Sequence, residues 1–211
     1  MCLVRFENQA GLGIDRLSQY IRRFGFGQPI GLTLQGEASG TVPDRDWKRR
    51  VFDDAWRLGD TYITAIGQFG FQVTPLQVAR AYGALANGGK LLTPQLEKGA
   101  VGDYTSLKLD QDKLSVIQSG LRLAVTDDLG TARRLNREDV EIAAKSGTAE
   151  LGTNNRTVNT WIAGYWPYQK PRYSFALLME NGPYENTFGA VRVMNSVFDW
   201  LSQNRPELLS E

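Results

Sequence analysis

The stretch Ala144-Lys145-Ser146-Gly147-Thr148-Ala149-Glu150 decides how the rest of this 211-residue chain is read. Ile142, Ala143 and Ala144 lead into it, and two aromatic, β-prone runs follow, around Trp161 to Trp166 and Tyr173 to Met179. An apolar approach and two such runs describe a strand with sheet partners downstream. Side chains alternate along an extended strand, so Ser146 and Thr148 share one face and Lys145 points to the other. To join the hydroxyls, the lysine stem has to reach round the strand. Gly147 brings no side chain, which leaves room for a ligand backbone to approach closely. Taken alone, K-S-G-T also describes a solvated strand position, because short motifs match by chance.

Composition narrows the choice. The chain is 42% hydrophobic and 22% charged, which suits a globular domain with a substantial core. A net charge of +1 offers no broad basic field for nucleic acid and no acidic tail. With no histidine and one cysteine, Cys2, the chain has no Ser-His-Asp triad, no internal disulfide and no zinc site built on His or Cys. No metal or other cofactor is expected. No apolar run is long enough to span a bilayer, and Met1 to Arg5 is not a signal peptide.

Moving outward from the strand, the pattern before it is helical. Gly13 to Phe24 sets Ile14, Leu17, Ile21 and Phe24 on one face, with Gly25 as a stop. A Gly-rich connection runs from Gly25 to Gly40, with a short apolar segment from Ile30 to Leu34. Ile30 stands where a third glycine would complete a dinucleotide fingerprint. Residues 41–60 hold charges and aromatics without clear periodicity and read as an ordered surface segment. Asp53 and Asp54 are adjacent, so their side chains point apart as a solvated pair rather than a shared-proton dyad. Thr74-Pro75-Leu76-Gln77 is a helix start with a capping box, predicting an inward face of Leu76, Ala79, Tyr82 or Gly83, and Ala86. Asn87-Gly88-Gly89 ends it, and Ala84 with Leu91 breaks the phosphate-loop pattern around Lys90. A further helix is predicted from Asp110 to Val125, with Leu114, Ile117, Leu121 and Ala124 on one side. Gly130 to Arg134 then reads as a solvated basic turn.

After the central strand comes a polar loop, Leu151 to Thr157, with two readings: a plain connection, or the rim of a groove beside the strand, since site residues favour loops on rigid scaffolds. Strands follow at Val158 to Trp166, closed by Pro167, and at Tyr173 to Glu180, closed by Asn181-Gly182-Pro183. Tight polar connections favour antiparallel pairing. A last helix, Gly189 to Ser202, directs Ala190, Met194, Val197 and Leu201 inward. Helices, then strands, then a helix give an α+β class: an antiparallel sheet covered by helices.

Several of these segments together resemble the class B penicillin-binding proteins, in particular the penicillin-binding protein 2 group that crosslinks peptidoglycan during cell elongation. The matching pieces are Gly13-Ile14-Asp15-Arg16-Leu17 with Phe24-Gly25, Glu37 to Trp47, Gly59-Asp60-Thr61, Ile66-Gly67-Gln68 with Thr74-Pro75-Leu76-Gln77, Ala81 to Gly89, and Trp161 to Pro167. Lys145-Ser146-Gly147 matches the third active-site motif, K-[ST]-G. The resemblance covers roughly residues 11–200 and implies a partial transpeptidase domain of β-lactamase-like fold, read as one domain over residues 1–211 and incomplete on its N-terminal side.

The same resemblance implies roles and gaps. Lys145 would hold positive charge at the cleft. Ser146 and Thr148 would bind the carboxylate of a D-alanyl-D-alanine stem peptide or a β-lactam beside Gly147, and the Thr148 N–H would be an oxyanion donor. The family's S-x-x-K is absent, since no serine has a lysine three residues on; Thr105-Ser106-Leu107-Lys108 comes nearest as T-x-x-K. Ser202-Gln203-Asn204 spells S-x-N but falls after the strand. Phe69 stands where a third glycine is usual, and Thr160 where a histidine is common. The expectation is a chain inactive alone, completed by an upstream half or a self-associated copy. Its expected place is the periplasmic face of the inner membrane, with the anchor outside this chain. A non-catalytic wall-peptide-binding module is the alternative. A serine β-lactamase fits less well, because the Gln68 and Thr74-Pro75 matches favour the transpeptidase.

Overall fold

A computed structural model describes residues 11–32, 36–100, 102–152 and 157–210. The apolar segment at Ile30 to Leu34 and the predicted rim loop fall partly outside these residues. Contacts divide the chain into two compact units, one of Met1–Gln77 with Thr93–Ala100, the other of Val78–Leu92 with Val101–Glu211.

In the first unit, α1 (Gly13–Arg23) buries Ile14 and Leu17, and Ile21 and Phe24 are half-buried along the same face. Gly25, in the left-handed region at φ 86°, donates its N–H to the Arg22 carbonyl and ends the helix. Residues 41–60 differ from expectation, because they contain α2 (Arg45–Phe52) and the start of α3 (Leu58–Ala65). Asp44 caps α2 by accepting the Trp47 N–H at 2.8 Å. Lys48, only 4% exposed, lies between Asp60 at 2.5 Å and Asp54 at 3.2 Å. Asp54 is therefore an ion-pair partner that also meets Arg57 at 3.0 Å, not half of a solvated pair. Phe69, at φ 61°, fills the space a glycine would leave, and its ring meets Trp47, Phe52 and Trp56 at centroid distances of 5.5–5.9 Å.

Helix α4 (Pro75–Ala86) opens with the predicted capping box: Thr74 N–H donates to Gln77 Oε1 at 2.9 Å, and Gln77 N–H to Thr74 Oγ1 at 3.2 Å. Its buried positions are Gln77, Ala81 and Ala84, while Leu76 is exposed. Gln77 replaces the predicted Leu76 because its amide donates to the Gln28 and Ser39 carbonyls, both at 2.9 Å, so a polar side chain is satisfied inside.

In the second unit, a small antiparallel pair, β1 (Lys90–Leu92) and β2 (Tyr104–Ser106), precedes α5 (Gln111–Thr126). The T-x-x-K sequence is the end of β2 and the following turn. In α5, Leu114, Leu121 and Val125 are buried, whereas Ile117 is 48% exposed. The main sheet is antiparallel, ordered β3 (Ala143–Leu151), β4 (Thr157–Trp166), β5 (Tyr173–Pro183). Gly164 is required in β4, since a Cβ there would run into the Ala143 carbonyl and lie 2.7 Å from Ala144 Cβ.

Helix α6 (Gly189–Asn204) buries Ala190, Met194 and Leu201 as predicted. Phe198 occupies the core in place of Val197, which is 38% exposed. The large aromatic meets Trp166 and Phe175 at 5.1 and 5.9 Å and so rotates the buried face by one residue. One face of the sheet, through Ala144, Ile162 and Phe175, packs with α6; the other, through Ala143 and Tyr165, packs with Leu121 of α5 and Tyr82 of α4. Burial pushes the Tyr82 phenol up to about 12.

Candidate active site

Strand β3 is an edge strand among the described residues, paired with β4 on one side only. Its first residues are core: Ile142, Ala143 and Ala144 have no exposed surface. The burial pattern then breaks at the motif, where Lys145 and Thr148 are exposed and Ser146 and Gly147 are half-buried. The same strand is thus anchored at one end and displays polar groups at the other.

Register places Ser146 opposite Ile162 and Thr148 opposite Thr160, so the two hydroxyl residues share a face. Thr160, beside Thr148 on the neighbouring strand, is buried, and its Oγ1 accepts the Ala190 N–H at 3.1 Å, tying β4 to the start of α6. The position where the resemblance led to a histidine therefore carries a structural hydroxyl.

Lys145 sits opposite Ala163, on the other face, yet its stem bends round as the sequence reading required. Its Nζ donates to the Ser146 carbonyl at 2.8 Å and to Thr131 Oγ1 at 3.4 Å. Ser146 Oγ lies 2.7 Å from the same Thr131 Oγ1, and Thr148 Oγ1 donates to the Thr187 carbonyl at 3.5 Å. No carboxylate among the described residues pairs with the Lys145 ammonium. An exposed positive charge with hydroxyls beside it favours an anion.

Among the described residues, a Cβ built on Gly147 would meet only Trp161 Cβ, at 3.5 Å, an ordinary contact. Packing among those residues does not demand glycine there. Thr131 is the residue that sequence reasoning missed. In the sequence the turn carrying it reads as a solvated loop, and nothing local signals a contact with residues 14 and 15 positions away. Asn154 and Asn155, part of the expected rim, lie outside the described residues. Ser202 and Asn204 end α6, where Asn204 Nδ2 donates to the Trp200 carbonyl at 2.9 Å, apart from this edge. Among the described residues no group of acidic, histidine or cysteine side chains is arranged to hold a metal. None of the described helices is long and apolar enough to cross a membrane.

Residues 3–199 match the penicillin binding protein transpeptidase domain. The peptidoglycan D,D-transpeptidase MrdA of Haemophilus influenzae is 32% identical over 93% of this chain and 34% of its own length. A Helicobacter pylori structure, a complex between the penicillin-binding protein PBP2 and MreC, superposes with a TM-score of 0.75 at 34% identity, covering 90% of this chain and 36% of that one. Pseudomonas aeruginosa PBP2 superposes at 0.74 with 32% identity over 90% and 43%. The chain spans about a third of the length of the curated relatives it matches. Its α+β architecture, with an antiparallel sheet covered by helices, is that of these transpeptidase domains. By the extent of that match and the identity carried along it, the chain belongs to the penicillin-binding protein transpeptidase family.

Proposed function

We propose that this chain forms the C-terminal part of a peptidoglycan D,D-transpeptidase domain, to which both compact units contribute. The observation that carries the reading is the edge of β3, where Lys145, Ser146 and Thr148 present one ammonium and two hydroxyls on exposed or half-buried backbone. The ligand is a D-alanyl-D-alanine stem peptide or a β-lactam, its carboxylate received by Ser146 and Thr148 while Lys145 supplies charge. Gly147 lets the ligand backbone lie against the strand, pairing with the free side of β3 as an added strand.

The reaction is acyl transfer. A serine hydroxyl from outside this chain attacks the penultimate D-alanine carbonyl, and the Thr148 N–H donates to the oxyanion. The tetrahedral intermediate collapses with loss of the terminal D-alanine, and an amine of a second stem peptide displaces the serine ester. With a β-lactam the ring amide opens instead, leaving a stable ester. No step calls for a metal or organic cofactor. The proposed place of action is the periplasmic face of the inner membrane. The missing S-x-x-K also supports a second reading, a non-catalytic module that binds wall peptide.

Mass spectrometry after incubation with a penicillin tests both. The expected outcome is no covalent adduct on this chain and one adduct on a form joined to an upstream segment carrying S-x-x-K and S-x-N. An adduct on the chain alone would disprove the assignment of the nucleophile; none on the joined form would favour the binding module.

A further inference from the structure

We infer that Thr131 is a positioning residue for the β3 edge, setting the hydroxyl proton that Ser146 and Thr131 together offer to an anion. Thr131 lies in the turn after α5, and that turn is fixed on both sides. Before it, a Cβ on Gly130 would meet the backbone of Ala124 at 2.5 Å and of Asp127 at 2.9 Å, so only glycine fits. The Gly130 N–H donates to the Asp127 carbonyl at 2.9 Å. After it, Ala132 has no exposed surface, packs in the core with Leu135, and donates its N–H to the Ala124 carbonyl at 2.9 Å. Between these anchors Thr131 is exposed, and its hydroxyl meets two members of the motif.

Donor counting shows what this does. An ammonium only donates, so Thr131 Oγ1 accepts from Lys145 and gives up one lone pair. The two hydroxyls, 2.7 Å apart, share one proton between them. If Ser146 donates, both lone pairs of Thr131 are used and the Thr131 proton turns outward. If Thr131 donates, the Ser146 proton turns outward. In either arrangement one hydroxyl proton is left over, at the end of a chain that begins on a cation and is polarised by it. An oxygen that receives this proton has to be an acceptor, and beside the Lys145 ammonium a carboxylate fits best. Without the Thr131 hydroxyl, Ser146 loses this partner and its rotamer is no longer set by the turn.

The carboxylate in this inference rests on the proposed function, and the positioning itself does not. The test uses the full 211-residue chain with Thr131→Val, which keeps the shape and removes the hydroxyl, and Thr131→Ser, which keeps the hydroxyl. The first readout needs no ligand: Hα–Hβ couplings of Ser146 by NMR report whether one rotamer is held. The second is titration with N-acetyl-D-alanyl-D-alanine, and with its C-terminal amide as control. Expected are a single Ser146 rotamer in wild type and Thr131→Ser and averaging in Thr131→Val. Thr131→Val should also lose about tenfold in affinity for the carboxylate probe, with no change for the amide. Unchanged Ser146 couplings in Thr131→Val overturn the inference, whatever the dipeptide does. Averaged couplings in Thr131→Val with no dipeptide binding by wild type uphold the positioning and remove the carboxylate reading.

Discussion

At the residue scale, Gly147 separates what the fold needs from what the proposed site needs. It has an ordinary strand conformation and room for a methyl group against Trp161, so the fold tolerates alanine. We predict that Gly147→Ala changes stability by less than about 0.5 kcal/mol. The same substitution in the serine-bearing form should slow acylation by penicillin on the order of 100-fold, because a methyl group would push the ligand off the strand. Thermal unfolding and adduct formation measured side by side check this; a variant that unfolds early but acylates normally would show that Gly147 serves packing. The shared face of Ser146 and Thr148 and the bend of the Lys145 stem were legible because strand alternation is a strict geometric rule and the lysine stem is long. Thr131 was not, since its part in the edge depends on a turn folded back from another element.

At the element scale, the ion pair cluster of α2 and α3 shows what periodicity hides. The α2 segment Arg45–Phe52 is mostly charged and aromatic, so no apolar stripe announced a helix. Its signal was the cap at Asp44 and the inward turn of a lysine, which pattern reading assigns to solvent. Hydrogen bonding to Asp60, and then to Asp54, raises the Lys48 ammonium above its ordinary value despite burial. The Lys48 hydrogen bond holds Asp54 below the usual carboxylate range. Burial pushes Asp60 up, but its bonds to Lys48 and the Arg57 N–H together bring it below that range as well.

The sign follows from linkage. Lowered carboxylates contribute stability above their unfolded values and lose it as pH falls through the folded ones; the raised lysine contributes below its unfolded value and loses it as pH rises past the folded one. Lys48→Met is therefore expected to lower Tm across roughly pH 5 to 9, with the gap to wild type closing below about pH 4 as the carboxylates protonate. Thermal unfolding across pH measures it, and a gap as wide at pH ~3 would assign the contribution to the aliphatic stem instead of the charge.

At the scale of the whole molecule, the order of helices, strands and a final helix was readable, and so was the antiparallel sheet. The division into two compact units was not, because the chain crosses it three times, first between Gln77 and Val78 inside the unbroken pattern of α4, then after Leu92 and after Ala100. Apolar surface remains open on the described residues. The outer flank of α6 exposes Val193, Val197 and Trp200 by 40%, 38% and 56%. Among the described residues strand β5 forms the other sheet edge, and its Tyr173 to Met179 run carries no charge. Uncharged edges and apolar flanks promote association. Sedimentation equilibrium of the isolated chain should show self-association at micromolar concentration, shifted toward monomer by the double substitution Val197→Lys and Trp200→Lys. A wild-type monomer over that range would count against the need for an upstream half or a second copy.

Among the described residues the unpaired side of β3 offers main-chain amides and carbonyls, and few substitutions can erase such atoms. Under the proposed β-lactam reading, drug selection on this edge would be steered away from chemistry and toward geometry. On that reading resistance would have to arise from neighbours that tilt the strand, and Gly164, where any side chain collides with Ala143 and Ala144, would be closed to it.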